Sequence, residues 1–369
     1  MKQMMGLINL EHERDTFQEL TYFRCPAAIP FAGRYRLIDF TLSNMVRSGI
    51  QEVALFTNQK YRALMDHLGT GVHWGLARRH GGLFILPPDW HDPSDISRGD
   101  LRHFHNNRDY FHRSKADYVL VSGSQFIANT DYNAAFQKHL YTGADITLLT
   151  TETKLAPGNQ QVRPRVELDE DDWVKSLHND ITNPIQFSGT YIIHKELLLE
   201  LVDACIAYEK TDFFQATIKG NLHKLFVQTY HHTGYSAFID SLESFYHQNM
   251  ELLKPANYEN MFLNRPPVLT KVSNEPPVKY GPNAQVSSSI VANGCVIEGT
   301  VENSVLFRGV HISPDTHIKD SIIMQRCDVA SGVDLENVIL DKDVHILENQ
   351  RLIGSAEKPY TLAKRKVLV

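Results

Sequence analysis

Short apolar runs separated by stretches of helical periodicity fill the first two thirds of the chain. Residues 52–57 (EVALFT), 117–122 (DYVLVS) and 145–150 (DITLLT) read as buried strands, and 42–48, 61–68, 106–114 and 132–141 read as helices. Strands alternating with helices predict βαβ units around a mostly parallel, twisted sheet, an α/β domain. Ligands of such sheets sit at the carboxyl ends of the strands. Here those ends carry residues 9–14, 57–60 and 122–125. Residues 253–283 have a different texture, with Pro255, Pro266, Pro267, Pro276 and Pro277 and few periodic apolar positions, and read as a linker.

From residue 284 the pattern becomes repetitive. Ile290, Val296, Val301, Leu306, Ile312, Ile318, Ile323, Val329, Leu335, Leu340 and Ile346 follow one another at steps of five or six, and Ile312, Val329 and Ile346 are 17 apart. That period suits neither a strand face nor a helix face. It predicts a left-handed parallel β-helix, in which each coil lays down three short strands and each strand sends one aliphatic side chain inward. The expected division is therefore 1–252, an α/β domain; 253–283, a proline-rich linker; and 284–369, a β-helix.

The 369 residues are 42 % hydrophobic, enough for sizeable cores and too much for disorder. The 37 basic and 43 acidic residues leave a net charge of −6, which argues against a nucleic-acid partner. Cys25, Cys205, Cys295 and Cys327 form no CxxC pair and are expected as buried free thiols. His103 with His105 and His231 with His232 lack a third ligand at metal-site spacing. With no apolar run of about 18 residues and an acidic segment directly after residue 10, no membrane span or leader is expected, and the protein is placed in the cytoplasm. Glycine matters by position: none of the residues from Leu7 to Ala32 is glycine.

Specific motifs narrow the reading. Residues 26–44 read PAAIPFAGRYRLIDFTLSN, followed by SGI at 48–50. DHLGTG at 66–71, GGLFILPP at 81–88, KADYVLVSG at 115–123, SGTYI at 188–192, NRPP at 264–267 and NEPP at 274–277 continue the pattern. Together these blocks resemble the bacterial glucose-1-phosphate adenylyltransferase (ADP-glucose pyrophosphorylase) family over nearly the whole chain. The resemblance implies a nucleotidyltransferase, Rossmann-like and GT-A-like domain before the β-helix. It also implies the reaction ATP + glucose 1-phosphate → ADP-glucose + pyrophosphate. That chemistry needs Mg²⁺ held by carboxylates, cations for the phosphates and a glycine loop whose backbone N–H groups approach the triphosphate.

The sequence departs from those needs. The family's GGxGxRL loop is replaced by residues 9–17, NLEHERDTF, without glycine and with Glu11 and Glu13 where a triphosphate would lie. Ser124 stands at the first metal-carboxylate position and Phe238 at the second, with Asp240 two residues away. Asp180 stands at the sugar-phosphate lysine, Cys25 at a second family lysine, and Gly99–His103 replaces the GTADA loop. The scaffold residues Arg36, Asp39, Phe40 and Asn44 are kept, and Gly123 and Gly189 match glycines of the substrate pocket. Arg24 and Arg36 match basic residues near the effector site of catalytic relatives, where a phosphorylated metabolite binds; ion pairing within the chain is the alternative role.

This combination resembles the GlgD-type group of that family. It implies a non-catalytic regulatory subunit in glycogen biosynthesis that pairs with a catalytic subunit, as a heterotetramer, or forms a homo-oligomer when alone. On that reading no cofactor or metal is bound, and Mg²⁺ and ATP belong to the catalytic partner. The alternative is a self-sufficient adenylyltransferase with an atypical active site.

Overall fold

The computed structural model describes residues 3–11, 13–57, 59–87, 99–152, 163–180 and 182–368. His12, Asn58 and Pro88, which belong to segments singled out above, lie outside the described residues. The chain forms two compact units that interleave in sequence. Of the described residues, one unit takes those within 1–13, 40–152 and 163–236, and the other takes those within 14–39 and 237–368.

The first unit is built on a nine-stranded sheet. Its strands are β1 (Met4–Asn9), β2 (Glu52–Phe56), β3 (Gly82–Leu86), β4 (Tyr118–Ser122), β5 (Ile146–Glu152), β6 (Arg165–Leu168), β7 (Val174–His178), β8 (Ile185–His194) and β9 (Val227–His232). The order is β7-β6-β8-β4-β1-β2-β3, with β5 also on β8 and β9 on β5. β1 pairs in parallel with both β2 and β4, and β3 with β2, so the expected βαβ core is present. The sheet as a whole is mixed, because β8 runs antiparallel to β4, β5 and β6. The helices α1 (Leu37–Arg47), α2 (Arg62–Leu68), α3 (Asp100–Asn106), α4 (Arg108–Arg113), α5 (Tyr132–Thr142) and α6 (Lys195–Ala207) follow the strands. The helix expected over 106–114 is α4, and a further helix, α3, precedes it and ends where the Asn107 side-chain amide donates to the His103 carbonyl at 2.8 Å. Met5, Leu7, Val119, Val121, Ile146 and Leu148 on the strands bury against Leu101, Phe104, Leu198 and Val202 on the helices.

The second unit holds the left-handed β-helix. Three parallel ladders of six, five and five strands stack along it, from Lys279–Tyr280 to Val367–Leu368, from Gln285–Ser287 to Arg351–Ile353, and from Ile290–Val291 to Tyr360–Leu362. The 17-residue repeat appears as direct pairing: Ile312 opposes Val329 and Val329 opposes Ile346. Val301, Ile318, Leu335 and Leu352 form the second inward column, and Leu306, Ile323 and Leu340 the third. The first two coils correct two expected inward positions. Val291 opposes Leu306 and Ile297 opposes Ile312, so Ile290 and Val296 point the other way. Both places carry two consecutive aliphatics, and a shift of one residue exchanges the faces of a strand. Sharp corners place Asn303, Asp320 and Asn337 at φ of 43°, 47° and 53°. Short polar side chains tolerate this left-handed conformation best.

Residues 253–283 carry a short helix, Pro255–Tyr258, a π-helical turn, Glu259–Leu263, and the first β-helix strand, Lys279–Tyr280. The kept block of residues 26–39 is a structural part of this second unit. The Ala32 N–H donates to Asn249 Oδ1 at 3.0 Å, Tyr35 stacks on Phe262 at 5.2 Å, and Thr270 donates to Asp39 at 2.6 Å. At Gly33, φ is 79°, a conformation that strains any side chain, and an added Cβ would crowd Ile290 Cγ2 at 3.1 Å.

Candidate functional site

The carboxyl ends of β1 and β4 adjoin a cleft of about 180 Å³ in the first unit. Among the described residues, Asn9, Glu13, Asp100, Ser122, Gly123, Gln125, Arg163, Ser188 and Gly189 line it, with Phe126, Phe187, Tyr191 and Phe214 as its aromatic part. This is the face on which the sequence placed ligands. Of the three segments expected there, 9–14 and 122–125 contribute lining residues.

The loop after β1 spends its backbone donors inside the protein. The Leu10 N–H donates to the Phe56 carbonyl at 3.1 Å, the Glu11 N–H to Asn9 Oδ1 at 3.1 Å, and the Glu13 N–H to the Leu10 carbonyl at 3.3 Å. A phosphate cradle needs such N–H groups turned toward the ligand. These three are turned inward and already paired.

Side chains then pin the loop at three points. Glu13 accepts the Ser124 N–H on one carboxylate oxygen and the Ser124 hydroxyl on the other, the latter at 2.9 Å. Burial pushes the Glu13 carboxyl up to about 7, against the opposing pull of the Ser124 donors and of the Arg163 charge. Glu11 meets His103 Nε2 at 3.3 Å, and the His103 ring stacks on Phe56 at 5.0 Å. Asn9 donates to Asp100 at 3.3 Å, while the other Asp100 oxygen accepts the Phe213 N–H at 3.1 Å. Gly99, at φ 58°, lets this segment pass the Thr211 carbonyl, which a Cβ would meet at 2.0 Å.

Some of the residues that depart from the family pattern therefore contact one another. Ser124, Asp100 and His103 are the partners of Glu13, Asn9 and Glu11. The sequence reading took Glu11 and Glu13 only as charges that repel phosphate and missed this pairing. The available signal was a new donor, Ser124, appearing together with new acceptors in the loop.

The other singled-out residues lie as follows. Gly123 and Gly189 both line the cleft; a Cβ on Gly123 would stand 3.2 Å from Glu13, and Gly189 has φ 84° at a register shift in β8. Asp180 is exposed and does not line the cleft. Its carboxylate accepts the Thr182 N–H at 2.9 Å and the Thr182 hydroxyl at 2.8 Å, which hold its pKa below the usual range. Phe238 belongs to the second unit, where it is buried at the end of the strand Ser236–Phe238. Asp240 is part of the cap of α7 (Leu242–Glu251). Its N–H donates to Ser244 Oγ at 3.0 Å, beside the Ser241–Ser244 capping box. No group of three or more His, Cys, Asp or Glu among the described residues is placed to hold a metal ion. The resemblance puts the two metal carboxylates at Ser124 and at Phe238, and neither side chain carries a carboxylate oxygen.

Arg24 and Arg36 belong to the second unit. Arg24 is 3 % exposed and grips Asp341, itself fully buried, with Nη2 at 2.9 Å from both carboxylate oxygens. The Arg36 N–H donates to Asp39 at 2.9 Å, so the expected Arg36–Asp39 contact forms through the backbone. Lys342 lies in the field of both arginines, and burial together with their charges holds its pKa well below the usual lysine range.

A nucleotidyltransferase domain joined to a hexapeptide β-helix is the class of protein that these two units define. Residues 16–165 match the Nucleotidyl transferase family, and residues 276–359 match the GlmU-like, C-terminal hexapeptide family. The glycogen biosynthesis protein GlgD of Bacillus subtilis is 39 % identical over 367 residues, which cover 98 % of this chain and 96 % of that protein. GlgD of Geobacillus stearothermophilus is 38 % identical over 84 % of this chain and 81 % of its own length. A glucose-1-phosphate adenylyltransferase of Halalkalibacterium halodurans is 31 % identical over 93 % and 97 %. The chain belongs to the glucose-1-phosphate adenylyltransferase family, in its GlgD group. No helix among the described residues is long and apolar enough to cross a membrane.

Proposed function

We propose that this chain is a non-catalytic, regulatory subunit of a cytoplasmic glucose-1-phosphate adenylyltransferase in glycogen biosynthesis, assembled with a catalytic partner that alone binds Mg²⁺ and ATP. The observation that carries the proposal is the loop of residues 9–13. Its amides at 10, 11 and 13 are paired internally, and its Glu13 carboxylate occupies the hydrogen-bonding groups of Ser124. A triphosphate placed there would meet carboxylates and find these N–H groups already used, a loss of the electrostatic stabilisation on which phosphoryl transfer depends. The integrity of the scaffold, set against these departures, supports a role in assembly.

The basic cluster of Arg24, Arg36 and Lys342 supports regulation by a phosphorylated effector. Arg24, Arg36 and Lys342 lie in one another's field, with Arg24 bonded to Asp341, and a bound phosphate would bring a charge of opposite sign to them. Regulation of the partner then requires that contacts differ between two states of the complex.

The test is co-expression with the catalytic subunit of the same genome. Co-elution in a hetero-oligomer, with kinetics changed relative to the catalytic subunit alone, is the expected result. Absence of both effects refutes the proposal. Synthesis of ADP-glucose by the isolated chain, at a rate comparable to the catalytic subunit, would establish the self-sufficient enzyme instead.

A further inference from the structure

A second pocket of the first unit, of about 410 Å³, lies at the other end of β4. Tyr118 begins that strand and lines this pocket, whereas Ser122 ends it and lines the cleft described above. Four residue steps of roughly 3.3 Å separate the two ends by about 13 Å, so the two spaces are distinct. The pocket sits where α5 turns into β5 and where β8 turns into α6. The Tyr118 ring meets His139 and His194 edge-on, at 5.3 Å and 5.1 Å. His139 is 2 % exposed, and its Nδ1 lies 2.8 Å from the Thr147 hydroxyl. Asp145 is fixed by Phe226, whose N–H donates to one carboxylate oxygen at 2.9 Å. Glu196 and Glu200 are exposed and four residues apart, so one face of α6 carries both.

Charge, spacing and size define the ligand. Asp145, Glu196 and Glu200 line the pocket together, and no lysine or arginine does so among the described residues. The adjacent Lys195 is turned away, its Nζ donating to the Ser114 carbonyl at 2.9 Å. None of the three carboxylates forms a salt bridge among the described residues. An anion is therefore disfavoured and a cation favoured. No three His, Cys, Asp or Glu among the described residues are placed to hold a metal ion, so the carboxylates offer separated charges and no chelate. Leu140 and Leu197 add apolar lining between them. The volume falls within the roughly 300–1,000 Å³ of sites for small organic molecules.

We propose that this pocket binds a di- or polyamine, an elongated organic cation whose ammonium groups are spaced along an alkyl chain. Asp145 meets one ammonium group, Glu196 and Glu200 meet another, and Leu140 and Leu197 meet the methylenes. The site is independent of the regulatory reading and is measured on the chain alone, so its failure leaves that reading standing.

The experiment is calorimetric titration of the full chain at pH 8 and fixed ionic strength with spermidine, with butylamine and with Mg²⁺. Saturable binding of spermidine is expected, with butylamine, which has one ammonium group, and Mg²⁺ each weaker by about tenfold or more. Glu196→Gln combined with Glu200→Gln should weaken spermidine by about tenfold or more. Glu348→Gln combined with Glu357→Gln removes the same charge from exposed positions of the second unit and should leave the affinity unchanged. Three results would overturn the proposal. One is no saturable binding of spermidine. Another is butylamine or Mg²⁺ binding as tightly as spermidine. The third is equal affinity in the two double variants, both melting cooperatively, which would show only general attraction to a chain of net charge −6.

Discussion

Glu13 and Ser124, 111 residues apart in sequence, are bonded through both carboxylate oxygens, one to the Ser124 N–H and the other to its hydroxyl. The loop that carries a glycine cradle in catalytic relatives is thus held down by its own acid.

That acid makes stability depend on pH. Its folded pKa, about 7, lies above the ordinary value of 4.5, so the folded state binds the proton more tightly than the unfolded one. The contribution is full below about pH 4.5 and is lost as pH rises through 7. Glu13→Gln keeps a neutral group that can bond Ser124. It is expected to melt higher than the parent at pH 8, by no more than about 3 kcal/mol, with the difference vanishing near pH 4.5. Thermal melts of both proteins across that range check the sign.

Restoring only the first metal carboxylate should harm the protein. Ser124→Asp would set a second carboxylate about where the hydroxyl now stands, 2.9 Å from Glu13. Repulsion and the lost hydrogen bond should cost about 1–3 kcal/mol and yield no ADP-glucose synthesis. Adding Glu13→Ala should recover most of the stability, which a double-mutant cycle in urea measures directly.

Arg24 and Asp341 form a pair that is buried on both sides. Removing one partner strands a charge, so Asp341→Ala or Arg24→Ala should each cost about 3–5 kcal/mol. Replacing both, with Arg24→Met and Asp341→Leu, should cost much less than the sum of the two. Denaturant unfolding of the single and double variants distinguishes this from a pair that contributes only through packing.

The β-helix core predicts a simpler loss. Leu335 is fully buried between Ile318 and Leu352 in one inward column. Leu335→Ala should destabilise by about 2–5 kcal/mol. At the same level of the coil, Asn337 is held at φ 53° and its Oδ1 accepts the Tyr246 hydroxyl at 2.9 Å. Asn337→Val therefore adds backbone strain to a lost hydrogen bond and should also unfold the protein at lower denaturant.

Local periodicity made much of this molecule legible in its sequence. The 17-residue aliphatic repeat fixed the β-helix, because each inward side chain is followed by its own neighbour one coil later. The apolar runs at 52–57, 117–122 and 145–150 located central strands within a residue or two. The stretch from Leu7 to Ala32 without glycine identified the lost cradle, since no other residue lets a backbone approach phosphate so closely.

Tertiary structure decided what replaced that cradle. Glu13 with Ser124, Glu11 with His103, and Asn9 with Asp100 are separated by 111, 92 and 91 residues. Arg24 and Asp341 are separated by 317. No local spacing encodes such pairs; they form because the sheet brings the ends of β1 and β4 together and because the second unit folds residues 14–39 onto its coils. The inward choice of Val291 over Ile290 and of Ile297 over Val296 was likewise set by strand register. Two adjacent aliphatics are equivalent to any rule of composition, and only pairing with the next coil tells them apart.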